Sequence, residues 1–198
     1  MVSISGSSLP SKKWLAPGMT CWSMTMPFWV FNFSTRVLTS FGGTGKLPMS
    51  ELKAMCEELG FADVRTYIAS GNVVFDSRKS EAAIKAALEE RLATFAGKPV
   101  GVIIRTAAEM AEVAAQNPFP KAKPNYTVAI FLDVAPKPDM FAGVRGRLDE
   151  EIGLGRREIY VHYPSGIGKS KLVIAAAKSG TARNINTVAR LAEMAAEN

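Results

Sequence analysis

Two β-rich runs, Val64-Arg65-Thr66-Tyr67-Ile68 and Val73-Val74-Phe75, stand on either side of Ala69-Ser70-Gly71-Asn72. Ser-Gly-Asn is turn chemistry, and strands joined by so short a link run antiparallel. A purely parallel, doubly wound sheet needs crossovers of a dozen or more residues between neighbouring strands. This one feature therefore removes the all-parallel α/β classes and demands a mixed or antiparallel sheet.

The flanking segments supply helices to cover it. Leu52, Met55, Cys56 and Leu59 recur at i, i+3, i+4 and i+7, with Pro48 in the first turn and Gly60 just past the end. Ser80 is placed to cap a second helix whose stripe is Ile84, Leu88, Leu92 and Phe95, closed by Gly97 and Pro99. Val100 to Ile104 reads as a strand, and Thr106-x-x-Glu109 as a capping box opening a helix through Met110, Val113 and Ala114. That helix closes at Asn117-Pro118-Phe119-Pro120. Further on, Tyr126–Leu132 and Glu158–Tyr163 read as strands. Asp139 is expected to cap a helix carrying Phe141, Val144, Leu148 and Ile152, and Asn184 a last helix with Val188, Leu191, Ala192 and Ala195. The alternation predicts an α+β protein of two α/β plait units, 42–98 and 99–198, meeting near Gly97–Val100, each sheet backed by helices on one face.

Residues 1–41 follow a different rule. They hold all three tryptophans and four of the nine methionines, and no charge occurs from Trp14 to Thr35. Pro17, Gly18, Pro27 and Asn32 interrupt the run too often for a membrane span, and it lacks the compact apolar core and cleavage site of a signal peptide. The net charge of +6 is also concentrated early: Lys12, Lys13, Arg36 and Lys46 face no acidic residue in 1–50, leaving 20 basic and 18 acidic residues in the remainder. The overall basicity is thus weak support for a nucleic-acid partner. Cys21 and Cys56 form no CxxC and no disulfide framework, the pattern of thiols in a reducing compartment, so a cytoplasmic location is expected.

The string Gly42-Gly43-Thr44-Gly45-Lys46-Leu47-Pro48-Met49, followed by ELKAMCEELGFADVRTYIASGNVVFDS, resembles the bacterial family called domain of unknown function 1697. YPSGIGKSKL and GTARNINTV are similar in kind to that family's second block, so the resemblance spans about residues 42–198. It implies a ferredoxin-like α/β plait architecture in two subdomains and no established activity. Family members open with a strand ending in a Leu-Arg-Gly-x-Asn-Val-Gly-Gly type of sequence, whereas here Val37-Leu38-Thr39-Ser40-Phe41 precedes the glycines. The composition change at the same point makes 1–41 read as the product of a frameshift or a mis-set start. If the chain is made as written, its first strand has to come from residues such as Phe28–Leu38.

Several loops are candidates for chemistry. Gly166-Ile167-Gly168-Lys169-Ser170 lies between an expected strand and helix, but Tyr163 occupies the position where a Walker loop needs its first glycine. Gly42-Gly43-Thr44-Gly45-Lys46 fails in the same way at Ser40. What remains is an anion-binding reading in which Lys169, Ser170, Lys171, Arg183 and Asn184, together with Gly43, Gly45 and Lys46, present backbone N–H groups and cations to a phosphate or carboxylate. Lys169, Lys171 and Arg183 form one basic pocket only if their loops meet. His162, the single histidine, shares a strand face with Glu158 and Tyr160 and is expected to face solvent. With no second histidine and no DxD cluster, neither a metal nor a cofactor is expected. Tyr67 and Phe75 are the nearest aromatics to an RNA-stacking platform.

Three functional readings follow. The first is an anion-preferring binding module for a nucleotide, RNA or a phosphorylated metabolite. The second is an enzyme of unassigned reaction between the two halves, using Arg183, Lys169 and Ser170. The third is a structural protein that self-associates as a homodimer.

Overall fold

In the computed structural model, residues 34–40 and 47–197 are described, and they all lie within a single unit spanning 31–198. The chain enters on strand β1 (Ser34–Ser40), which overlaps the expected source of the first strand. Helix α1 (Met49–Glu58) starts at Pro48 and ends in Leu59 and a left-handed Gly60. Strands β2 (Ala62–Tyr67) and β3 (Asn72–Ser77) form the hairpin. Helix α2 (Glu81–Ala96) is capped by Ser80 Oγ, which accepts from Ala83 N, and closed by left-handed Gly97. Strand β4 (Val102–Thr106) then pairs antiparallel with β1 in the order β2-β3-β1-β4. β4 follows the expected boundary near Gly97–Val100, so the first sheet reaches to Thr106.

The Thr106–Glu109 capping box opens helix α3 (Ala107–Ala115), with both reciprocal hydrogen bonds formed. A second four-stranded antiparallel sheet follows: β5 (Thr127–Phe131), β7 (Glu151–Leu154), β8 (Glu158–His162) and β10 (Thr181–Asn184), in the order β10-β5-β8-β7. Between them lies a two-stranded ribbon of β6 (Val144–Arg145) and β9 (Val173–Ile174). Helix α4 (Ile185–Ala196) closes the chain. Numbered within each sheet, the strands of both stand in the same order, 4-1-3-2. The fold is α+β.

Three cores separate the layers. Leu38, Val73, Phe75, Val102 and Ile104 pack one face of the first sheet onto Leu52 and Cys56 of α1 and Ile84, Leu88 and Leu92 of α2. Phe61 stacks on Phe75 at 4.4 Å between ring centroids. Val37, Val74 and Ile103 point the other way, into a central core shared with Met110 and Val113 of α3, Val188, Leu191, Met194 and Ala195 of α4, and Ala129, Phe131 and Tyr160 of the second sheet. Val128, Ile130, Ile159 and Val161 fill the far face with Met140 and Ile174. Helices therefore cover both faces of the first sheet, not one. The continuous apolar run Val73-Val74-Phe75 is the sequence trace of a strand buried on both sides.

The same double burial corrects the expectation for His162. α3 and α4 cover the strand face it shares, so Glu158 and Tyr160 are buried and His162 is half-buried, with Nδ1 3.2 Å from Tyr126 O. The expected helix from Asp139 is absent as well. A 3-10 turn (Pro138–Gly143) leads into β6 and then β7, with Phe141 and Leu148 exposed. Gly146 at φ +65° ends any helical run there.

Cys56 is fully buried, and that burial pushes its thiol up to about 12. A thiol held protonated is a poor nucleophile. Native protein treated with a maleimide should leave the Cys56 peptide unmodified, and denatured protein should not. Peptide mass mapping distinguishes it from Cys21.

Candidate anion-binding site

The two sheets are joined at one end by Arg183. In β10, Thr181 and Arg183 stand opposite Phe131 and Ala129, whose side chains face the central core, so both project toward the first sheet. The Arg183 guanidinium reaches the β2–β3 turn. Nε donates to Asn72 Oδ1 at 2.6 Å and Nη2 to Ser70 O at 2.7 Å, while Nη1 donates to Thr181 Oγ1 and Ala182 O, each at 2.8 Å. Asn72 is wholly buried and its amide donates to Tyr67 O and Ser70 Oγ. Burial pushes the guanidinium down to about 10, which leaves it protonated at neutral pH.

The turn it grips is strained. Ile68 sits at φ +48° with half of its surface exposed. A β-branched residue gains nothing locally from that conformation, and such outliers persist where the surroundings impose them.

Thr39 pairs with Asn72 across β1 and β3, so their side chains share the face that Val37 and Val74 pack against Val188 of α4. Thr39 is 2% exposed and its hydroxyl has no hydrogen-bond partner. α4 begins two residues after Arg183, and the Asn184 side chain makes no capping bond to its first turn. Asn184 itself stands opposite Val128, on the face away from Arg183, and is exposed. A half-buried cation and an orphan hydroxyl are thus both linked to Asn72, and an uncapped helix N-terminus begins two residues beyond Arg183.

The other nominated residues lie elsewhere. Lys169 and Ser170 line a recess of about 480 Å³ with Leu148, Asp149, Glu150 and Tyr163, and neither Arg183 nor Lys171 is part of its lining. Ser170 Oγ donates to Glu150 and accepts from Leu172 N at 3.0 Å. The chain after Gly166 forms only a 3-10 turn (Ile167–Lys169) and then β9, so the expected helix N-terminus is not there to attract an anion. Lys171 is exposed, and its carbonyl lies against Gly146. Gly43, Gly45 and Lys46 fall outside the described residues. Phe75 is fully buried and Tyr67 packs against the central core, so neither offers a free stacking face. Among the described residues, no group of three or more His, Cys, Asp and Glu side chains is arranged to hold a metal, and no helix is long and apolar enough to cross a membrane.

A polar network absent from the sequence reading lies on the opposite side of the sheet junction. Arg105 of β4 and Glu158 of β8 form a buried ion pair, Nε to Oε1 at 3.0 Å. Arg105 Nη2 also donates to Leu132 O at 2.7 Å, and Arg157 spans Glu81 and Glu109 at 2.9 and 2.7 Å. Burial lowers the Arg105 pKa more than the Glu158 carboxylate raises it. Burial alone would raise the Glu109 carboxyl, yet the Thr106 N–H and Arg157 hold it below its ordinary value. These groups pair among themselves around a space of only about 10 Å³, which suits a structural junction.

A family model described as "Protein of unknown function (DUF1697)" matches residues 39–160. None of the curated proteins matches the chain. The solved structure of the conserved bacterial protein SP0830 from Streptococcus pneumoniae superposes with a TM-score of 0.66 at 20% identity, covering 82% of this chain and 99% of that one. At that identity the likeness concerns the fold.

Proposed function

We propose that this chain, which belongs to the DUF1697 family of proteins of unknown function, is a binding module for a small phosphorylated ligand held where Arg183, Thr39 and the first turn of α4 meet. The observation that carries the reading is the Thr39 hydroxyl, buried to 2% exposure with no partner, paired across the sheet with the Asn72 that the half-buried Arg183 guanidinium grips. A buried donor left unmade costs about 1–3 kcal/mol, which a bound acceptor would recover. Phosphate oxygens accept from a hydroxyl and from helix N–H groups, and the guanidinium, already donating to Asn72, Ser70, Thr181 and Ala182, contributes its positive charge. Two ferredoxin-like plaits, one per subdomain, are the matching architectural reading, supported by the 4-1-3-2 order of both sheets.

The test is thermal unfolding with inorganic phosphate, ADP or a short single-stranded RNA. A ligand present at about a hundred times its Kd adds about 2.7 kcal/mol of stability. ADP or phosphate is expected to raise the midpoint, and the effect should persist at neutral pH and fade above pH of about 10 as Arg183 loses its proton. Thr39→Val should leave the unliganded protein as stable or more so, because it removes an unpaired polar atom, while weakening the response by tenfold or so. No shift with any of the three probes overturns the reading, and a shift with RNA alone, steep in salt, replaces it with nucleic-acid binding.

A further inference from the structure

The recess walled by Glu150, Tyr163 and Lys169 lies apart from the anion site and has the opposite chemistry. Its volume of about 480 Å³ falls within the roughly 300–1,000 Å³ of small-molecule pockets. Two carboxylates and one ammonium line it, and none of the three is in an ion pair among the described residues.

Glu150 is the unusual member. It is 2% exposed, and its carboxylate is held by the Ser170 hydroxyl on one oxygen and by Leu148 N at 2.6 Å on the other. The Ser170 hydrogen bond, then that backbone N–H, keeps its pKa below the ordinary value, so it is charged. Arg147 adds only a weak pull on this carboxylate and donates to Glu150 O at 2.8 Å instead of to its side chain, so a ligand ammonium would supply the direct ion pair that a buried carboxylate needs. Beside it, Asp149 accepts from Ser165 Oγ at 2.6 Å and stays exposed. Burial, and then the Glu150 charge, push the Tyr163 phenol up, so that ring stays neutral as an apolar wall with a donor at its tip. Lys169 is exposed on the same lining.

We propose that this recess binds a free amino acid, with its ammonium between Glu150 and Asp149, its carboxylate on Lys169 and its side chain against Tyr163 and Leu148. A plain anion is disfavoured by two carboxylates to one cation, and a plain amine leaves Lys169 unused. A zwitterion with an apolar side chain satisfies both signs and the apolar wall.

The experiment is calorimetric titration of the full chain with free apolar amino acids, their N-acetyl forms and their carboxamides. At least one free amino acid is expected to bind, its N-acetyl form not at all, and its carboxamide about tenfold more weakly. Lys169→Met should bring the free acid down to the affinity of its carboxamide and leave the carboxamide unchanged. Asp149→Asn, at an exposed position, should weaken both. The phosphate response of the other site should survive in both variants, which separates failure here from failure there. If no free amino acid binds, or if an N-acetyl form binds as tightly as its parent, the inference is overturned.

Discussion

Arg105→Ala is expected to remove roughly 3–5 kcal/mol of stability, the cost of leaving one member of a buried ion pair alone. The side chains of Arg105 and Glu158 are 2% and 5% exposed, so water cannot take the place of the missing partner. The substitution also strips donors from Leu132 O and Arg157 O, which Arg105 Nη2 reaches at 2.7 and 3.2 Å. A domain of this size has only about 5–15 kcal/mol in hand, so the loss should move the urea midpoint far down or unfold the protein at 37 °C. The double variant Arg105→Met with Glu158→Leu should recover much of the loss, because buried pairs replaced by apolar side chains are often neutral or better. A single variant within about 0.5 kcal/mol of the parent would contradict this account of the sheet junction.

Gly146→Ala is the second large effect. At φ +65° an alanine costs roughly 1–2 kcal/mol. Its Cβ would also lie 2.2 Å from Lys171 O, a backbone atom that cannot swing aside, adding roughly 1–3 kcal/mol of overpacking. A total of roughly 2–5 kcal/mol is expected by chemical denaturation. Gly60→Ala is the control. It shares the left-handed backbone at φ +77° but meets nothing within 4 Å, so it should cost only the backbone part. Equal losses at the two positions would mean that the approach of β6 to the chain before β9 is not tight. Because Lys169 and Ser170 lie just ahead of Lys171, Gly146→Ala should also disturb the recess they line.

Local patterns carried much of the architecture. The Ser80 cap, the Thr106–Glu109 box and left-handed Gly60 and Gly97 are short-range features, and each reads the same in the chain as in the fold. The stripe of α2 also held at Ile84, Leu88 and Leu92, although Phe95 at its end is 45% exposed. The segment 139–152 is misleading because its apolar residues fall at helical spacing although Gly143 and Gly146 interrupt the run. β6, β7 and β9 are two to four residues long, too short for a period to appear.

The candidate site was half legible. Arg183 stood out as a fork for an anion, and it does lie at the sheet junction. Its grouping with Lys169 and Lys171 did not survive, because neither lines the place where Arg183 is held. Thr39 and Asn72 carried no signal: one is a threonine in a strand, the other a turn residue, and only their pairing across β1 and β3 makes them neighbours. Arg105 was equally silent, an arginine at the end of a strand whose partner lies 53 positions away.

By itself the amino-acid order determined the hairpin, the four caps and terminators and the α+β class, because turn chemistry and helix capping act over a few residues. Which strand faces would be covered twice, which charges would be buried together and where Arg183 would land were decided only by the tertiary structure. Those outcomes depend on desolvation by segments distant in the chain, a quantity that no local window contains.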